Sequence, residues 1–306
     1  MSTPQGRDIN NTARLAQIRA HIDLPVLKRA AGLLEGYHRS IFKGHGQDFD
    51  DLSLYSPGDD VSDIDWKSSA RAGIPIIRRF QQQSNLSVVL VTDIGRNMAA
   101  VSSGGVPKGD TAVFLASLVA YVARDRGDRV ALVAGDSERL IHRPPRASTQ
   151  DLEVMLAQLT TLFSVDAPAG DISIPIKRTL SLFHRRCLVI LITDETRPAP
   201  EHEELLRHLK VRHEVLVLQV SDASPFVGAR LGDGHTVRDV DRSLNLPPFL
   251  SKRLNIQSEA ADYVRQRRAQ SVELLQRNGI VNVVIDSSQD AIVRFTAAVR
   301  RQKHLS

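Results

Sequence analysis

The stretch VVLVTDIGRNMA, residues 88–99, runs five apolar or hydroxyl-bearing residues into an aspartate, then a short polar turn, then the start of a helix. A near-continuous Val/Leu run of this length is what a strand buried on both faces of a sheet looks like. A carboxylate at its end, Asp93, stands where a strand tip can hold a polar ligand or a metal ion.

The same rhythm repeats outward from this point. SVVLVTD (87–93), RVALVAGD (129–136), CLVILITD (187–194), HEVLVLQVSD (213–222) and VNVVID (281–286) all read as buried strands. Helical spacing falls between them at 109–126, 151–162, 201–210 and 256–278, and again in the terminal QDAIVRFTAAVRRQ. Strand–helix alternation implies an open, doubly wound α/β sheet with right-handed crossovers. One interval breaks the rule. SERLIHR follows RVALVAGD too closely for a helical crossover, so it is expected to fold back as an antiparallel edge strand.

Residues 1–86 differ from the rest and are expected to form a region of their own, packed on a core domain of residues 87–306. Residues 12–37 have helical spacing, interrupted at Pro25. Seven aspartates lie between positions 48 and 65, among dense turn signals such as SPGDD and AGIP. Phe49, Tyr55, Ile64, Trp66 and Ile77 give this segment something to bury, and Trp66 is expected to be a packing anchor.

The 306 residues are 42% apolar and 25% charged, the profile of a soluble globular chain. No run reaches the roughly 18 apolar residues of a membrane span; AVFLASLVAYVA at 112–123 reads as a buried helix. Cys187 is the only cysteine, which excludes an intrachain disulfide or a cysteine metal cluster and makes a cytoplasmic location the expectation. The net charge of +5 is concentrated near the C-terminus, in RQRR (265–268) and RRQK (300–303). A solvated helix face accounts for it, with nucleic-acid binding as the alternative, although no aromatic residues interleave to form a stacking platform.

All five core strands end in aspartate: Asp93, Asp136, Asp194, Asp222 and Asp286. Aspartate past a strand commonly forms a turn or caps the next helix, the expected role of Asp136, Asp222 and Asp286. Asp93 and Asp194 are different if their strands begin the two halves of the sheet. Their carboxylates then meet where strand order reverses and could hold a hard cation such as Mg²⁺.

Two segments carry a family resemblance. VTDIGRNM resembles the strand at which von Willebrand factor A domains carry Asp-x-Ser-x-Ser, the start of a metal-ion-dependent adhesion site, and LITDET (191–196) resembles the strand supplying that site's distant aspartate. YSPGDDVSDIDWKSSAR (55–71) closely resembles the signature of the domain of unknown function 58 (DUF58) family, through Tyr55, Pro57, Gly58, Asp59, Ile64, Asp65, Trp66, Ala70 and Arg71. The match extends from about Gly36 to the end. The resemblance implies a von Willebrand A-like fold and a non-catalytic adaptor or co-chaperone role. The implied partners are a MoxR-type AAA+ ATPase and a client protein.

The chain departs from the family where serines are usual, at Gly95 and Asn97, and where arginine is frequent, near Ser53 and Ser62. Thr149 is the nearest fit to the threonine that related domains add, although it also suits a helix N-terminus, as does Ser148. The expected metal site therefore comprises Asp93, Asn97, Thr149 and Asp194: a degenerate site binding Mg²⁺ weakly or not at all. Arg96 is a candidate to neutralise the carboxylates without an ion. Within the signature, Asp59 and Asp65 are expected to accept hydrogen bonds in turns, with Arg71 as their charge partner. An Mg²⁺-dependent hydrolase or phosphotransferase is the catalytic alternative. It lacks support from a phosphate-binding loop, a nucleophile elbow or a second aspartate two residues after Asp93.

Overall fold

The computed structural model describes residues 49–55, 64–80, 87–223, 240, 254–288, 290, 291 and 294. The helical expectation for 12–37, most of the terminal 289–302 segment, and signature residues Pro57, Gly58 and Asp59 fall outside them.

Six strands form one sheet: β3 (Ser87–Asp93), β4 (Arg129–Gly135), β5 (Leu140–Arg146), β6 (Leu188–Asp194), β7 (Glu214–Val220) and β8 (Val281–Ile285). Their order is β5-β4-β3-β6-β7-β8. Every pairing is parallel except β4 with β5, the short-range antiparallel return expected from SERLIHR. The chain winds from β3 outward to β5, then crosses to β6 and winds out to β8. Strand order thus reverses between β3 and β6, the place where such sheets open a crevice. This order, with its single antiparallel strand, is a von Willebrand A-like arrangement.

Alternating side chains divide the core into two layers. Val88 and Leu90 face a cluster that includes Leu115, Leu118, Leu152 and Leu156, from α2 (Lys108–Asp125) and α3 (Thr149–Thr161). Val89 and Val91 face the other way, toward Ile176, Leu206, Leu209 and Leu275. These come from α4 (Ser173–Leu182), α5 (Glu203–Arg212) and α6 (Leu254–Arg277). Helix α2 is buried along nearly its whole length, as its apolar run requires. Helix α4 was not anticipated by periodicity. It is short, and Pro175 interrupts the apolar pattern. Pro175 lies in the first helical turn, where the missing N–H costs nothing, and Ile172, Ile176 and Thr179 form the buried stripe.

The signature region contributes a separate antiparallel pair, β1 (Phe49–Leu54) with β2 (Ile76–Phe80), joined through α1 (Trp66–Ala72). Helix α1 explains the spacing of DWKSSAR. Asp65 caps it, its Oδ1 accepting from the N–H groups of Lys67 and Ser68, each at 3.1 Å. One turn on, Ser69 Oγ accepts from Ile76 N at 2.8 Å and ties the helix to β2. Gly73 closes the helix at φ 71°, a conformation glycine adopts without strain. Asp65 is therefore the acceptor expected of it. Trp66 is not the expected packing anchor: it opens a seven-residue helix with no buried residue and is 70% exposed. Tyr55 is half-buried and Arg71 exposed in the last turn of α1.

At the opposite end of the sheet from the crevice, His213 is fully buried and contacts Cys187 Sγ through Nδ1 at 3.2 Å. The other two histidines of this region lie on or beside α5 and differ in exposure. His208 faces water, whereas His202 is buried and its Nδ1 accepts from Ala199 N at 3.0 Å. Burial, reinforced by the charges of Arg212 and Arg186, pushes the His213 imidazole down to about 4 from 6.5. The native state thus holds it neutral while the unfolded chain protonates near 6.5. The stability this contributes is complete above that pH and is lost as pH falls toward about 4. Urea midpoints measured from pH 7 to pH 4.5 should fall in this window for the wild type, and less steeply for His213→Gln. Equal slopes would show that His213 does not drive the loss.

Candidate functional site

The carboxyl ends of β3, β6 and β7 bring Asp93, Asp194 and Asp222 to one end of the sheet, on three adjacent strands. Asp93 has no solvent exposure, and Asp194 has 3%. Three buried or half-buried carboxylates so placed require compensation, because an unpaired charge in a low-dielectric site costs several kcal/mol.

Asp93 is satisfied by its own turn. Oδ1 accepts from Gly95 N at 2.9 Å, and Oδ2 from Asn97 Nδ2 at 3.0 Å and Thr193 Oγ1 at 3.5 Å. Arg197 Nη1 lies 3.7 Å from Oδ2. Burial raises the Asp93 carboxyl above the usual carboxylate range, opposed first by Arg197 and then by the hydrogen bonds of Asn97 and Gly95. Asn97, expected to offer its carbonyl oxygen to an ion, instead turns its amide N–H toward the carboxylate. The Asn97 Oδ1 is buried without a hydrogen-bond partner. The guanidinium near Asp93 is that of Arg197, not Arg96.

Asp194 is compensated differently. Its Oδ1 accepts from Thr196 N at 2.8 Å and Thr196 Oγ1 at 2.6 Å. Its Oδ2 pairs with the ammonium of Lys108, which also pairs with Asp222 Oδ1. Lys108 is the first residue of α2 and is 1% exposed. The 101–107 loop delivers it: Val101 bridges Pro107, and Lys108 N donates to Ala100 O at 2.8 Å. Burial alone would depress the Lys108 ammonium, but the two carboxylates outweigh it and hold the group above its ordinary value. Burial likewise acts to raise Asp194, and Lys108 with Thr196 overrides it to hold that carboxyl low. Burial and then the Asp194 charge raise Asp222, with Lys108 opposing. Asp222 is thus an ion-pair partner of Lys108; the turn or cap expected of it would involve residues 224–239, which lie outside the described residues.

The remaining strand-end aspartates have local roles. Asp136 forms the turn into β5, accepting from Glu138 N at 3.0 Å and Arg139 N at 2.7 Å, and pairs with Arg139 Nε at 2.6 Å. Asp286 accepts from Ser103 Oγ at 2.8 Å and pairs with Arg294, fastening the 101–107 loop rather than capping a helix.

A second loop lies over Asp93. Pro168 O accepts from Arg96 N at 2.9 Å and Ala169 O from Ser137 N at 2.9 Å, bringing Gly170 down onto the β3 turn. A Cβ on Gly95 would stand 2.2 Å from Gly170 Cα, and one on Gly170 would stand 2.3 Å from Asn97 Oδ1 and 3.0 Å from Asp93 Oδ1. The departure from serine at position 95 therefore has a steric cause: the backbone of the 164–171 loop takes the space of the side chain.

Thr149 does not join this site. Strand β5 runs antiparallel and carries the chain back to the opposite end of the sheet, where Arg146 pairs with Val130. There Ser148 caps α3 by accepting from Asp151 N at 3.1 Å, and Thr149 Oγ1 accepts from Arg124 Nη1 at 3.3 Å. The structure thus groups Asp93, Asn97 and Asp194 and excludes Thr149. The residues present do not fit a hard divalent cation. Asn97 turns its amide N–H, not its oxygen, to Asp93, position 95 offers no side-chain oxygen, and an ammonium sits between Asp194 and Asp222. Among the described residues no group of three or more His, Cys, Asp or Glu side chains is arranged to hold a metal ion.

Lys108, Arg197 and the 164–171 loop were not singled out by motif. The available signal for Lys108 was its place at the first position of a helix otherwise apolar enough to be buried, from which its side chain points back toward the strand tips.

The sequence profile of the family described as "Protein of unknown function DUF58" matches residues 51–241. The chain belongs to the DUF58 family. Uncharacterized proteins of Mycobacterium bovis and Mycobacterium tuberculosis are 27% identical to it over 303 residues, covering 96% of this chain and 92% of theirs. Among solved structures it aligns with an aerotolerance-related membrane protein of Bacteroides fragilis at 15% identity and a TM-score of 0.45, over 71% of this chain and 99% of that one. It also aligns with a von Willebrand factor type A protein of Catenulispora acidiphila at 11% identity and a TM-score of 0.36, over 73% and 44%. The assignment of this DUF58 chain to a von Willebrand A-like fold rests on the strand order given above. No helix of its described residues is long and apolar enough to cross a membrane.

Restoring the family's serine tests the closed turn. Gly95→Ser should lose about 1–3 kcal/mol of stability from overpacking against Gly170, read from urea unfolding. An unchanged midpoint would mean that the 164–171 loop does not rest on the β3 turn.

Proposed function

We propose that this protein is a non-catalytic interaction module of the cytoplasm, an adaptor or co-chaperone that docks a MoxR-type AAA+ ATPase and a client through the strand-tip end of its sheet. The partner class is suggested by the family resemblance. The observation that carries the docking face is apolar exposure around the crevice. Val101 and Val106, in the loop between β3 and α2, are 50% and 37% exposed. Leu140, paired with the last residue of β4, is 43% exposed, and Val165, in the loop over Asp93, is 57% exposed. Large apolar side chains left in water near a polar centre are a common feature of protein-binding surfaces.

The carboxylates support binding over hydrolysis. A hydrolase of this layout needs a carboxylate free to act as base or nucleophile beside its metal. Here Asp93 and Asp194 are both engaged by cationic or N–H donors. The basic segment 265–268 is also partly committed, since Arg268 Nε donates to the buried Glu195 Oε2 at 2.8 Å and holds α6 to the end of β6.

Pull-down with a MoxR-type ATPase from the same organism, with ATP and Mg²⁺, should recover a complex. Val101→Asp and Val165→Asp should each weaken capture by about tenfold or more without lowering the melting temperature. Failure of the wild type to bind in either nucleotide state would sink the reading. Equal capture by both variants would place the docking face elsewhere.

A further inference from the structure

We propose that Lys108 is a built-in cation: its ammonium stands where a divalent ion would otherwise hold the strand-tip carboxylates together. The crevice of this protein therefore works without metal. This concerns the same end of the sheet as the docking reading but does not depend on any partner.

The geometry carries the inference. Asp194 and Asp222 end adjacent strands, and each directs a carboxylate oxygen at one Nζ. That nitrogen belongs to a side chain with 1% exposure, so the charge it supplies is as permanent a part of the site as a bound ion. Two carboxylates around a single buried positive centre form the arrangement that hard cations use, with an ammonium in place of the ion. The third carboxylate, Asp93, is held by N–H donors and a hydroxyl, and Asn97 faces it with its amide N–H. The absence of a side-chain oxygen at Gly95, the Asn97 amide N–H turned to Asp93, and the lysine at 108 are then parts of one change. Removing ligands without adding Lys108 would leave buried carboxylates uncompensated. Adding Lys108 makes the lost ligands unnecessary.

The consequence is specific. Removing the ammonium should open a site for a divalent ion, because Asp194 and Asp222 would face each other across the emptied space with Thr196 holding Asp194 in place. Mn²⁺ is a suitable probe, since it favours carboxylate and water oxygens and is read directly by electron paramagnetic resonance. Titration of the wild-type protein should show no stoichiometric Mn²⁺ binding, and its melting temperature should be the same in EDTA and in Mn²⁺. Lys108→Ala should melt lower in EDTA, regain stability in Mn²⁺ and bind about one ion, with at least roughly tenfold tighter affinity than wild type. Adding Asp194→Asn to that variant should abolish the gain.

Stoichiometric Mn²⁺ binding by the wild type that is lost in Asp194→Asn would overturn the proposal. So would a folded Lys108→Ala protein with no gain in Mn²⁺ affinity, since the lysine would then be structural only. Should Lys108→Ala not fold in EDTA but fold in Mn²⁺, the ion has replaced the ammonium and the proposal stands. If it folds in neither, Lys108→Ser, which leaves room for water and adds a hydroxyl, is measured in the same way. Failure of both to fold in Mn²⁺ also overturns it. None of these measurements involves the ATPase, so a negative result here leaves the docking reading intact, and a negative pull-down leaves this one intact.

Discussion

A lysine ammonium enclosed by two carboxylates joins the start of α2 to the ends of β6 and β7. Taking three charges out of water is costly, and their mutual attraction offsets the cost only when the geometry is good and the remaining lone pairs are satisfied. Thr196 meets that second condition at Asp194 with a backbone N–H and a hydroxyl. Breaking a buried pair by deleting one partner typically costs about 3–5 kcal/mol, because the other is left charged and unpaired. The 101–107 loop and the entry to the central helix are therefore fastened to the far half of the sheet. Ser103 and Asp286 repeat the attachment one strand further out.

The other side of the crevice is governed by close backbone approach. Gly95 and Gly170 meet without side chains, and this lets the 164–171 loop lie over Asp93. A carboxylate so covered cannot rely on water, which explains why it collects a backbone N–H, an amide, a hydroxyl and a nearby guanidinium. The carboxylates of the polar centre are thus compensated from within the fold, and the surrounding loops expose four large apolar side chains, Val101, Val106, Leu140 and Val165, among polar ones such as Ser103, Ser137, Glu138 and Asp166. In this von Willebrand A-like domain, the strand-tip end consists of a covered polar centre with apolar side chains exposed on the loops around it.

Much of this was legible in the residues. The five strands were readable from their Val/Ile/Leu runs to within a residue or two, because short runs rich in β-branched residues and bounded by polar turns have the length of a strand and not of a buried helix. The antiparallel return at Leu140–Arg146 followed from loop length alone. The signature region was partly legible: Asp65 caps a helix as its residue type suggests, whereas Trp66 is exposed because α1 is too short to bury a face. Helix α4 was hidden by a proline that is harmless in the first turn. The site was legible at Asp93 and Asp194 but misread at Thr149, which a chain reversal carries to the other end of the sheet.

By itself the sequence determined the strands, their alternation with helices and the strand ends at which polar chemistry would gather, since these follow from the composition of short apolar runs and from where they stop. Only the tertiary structure decided what those strand ends bind. Lys108 lies 86 residues from Asp194 and 114 from Asp222 along the chain, and Gly170 lies well beyond Gly95. Pairing across such distances is set by how helices and loops pack on the finished sheet, and no local pattern encodes it.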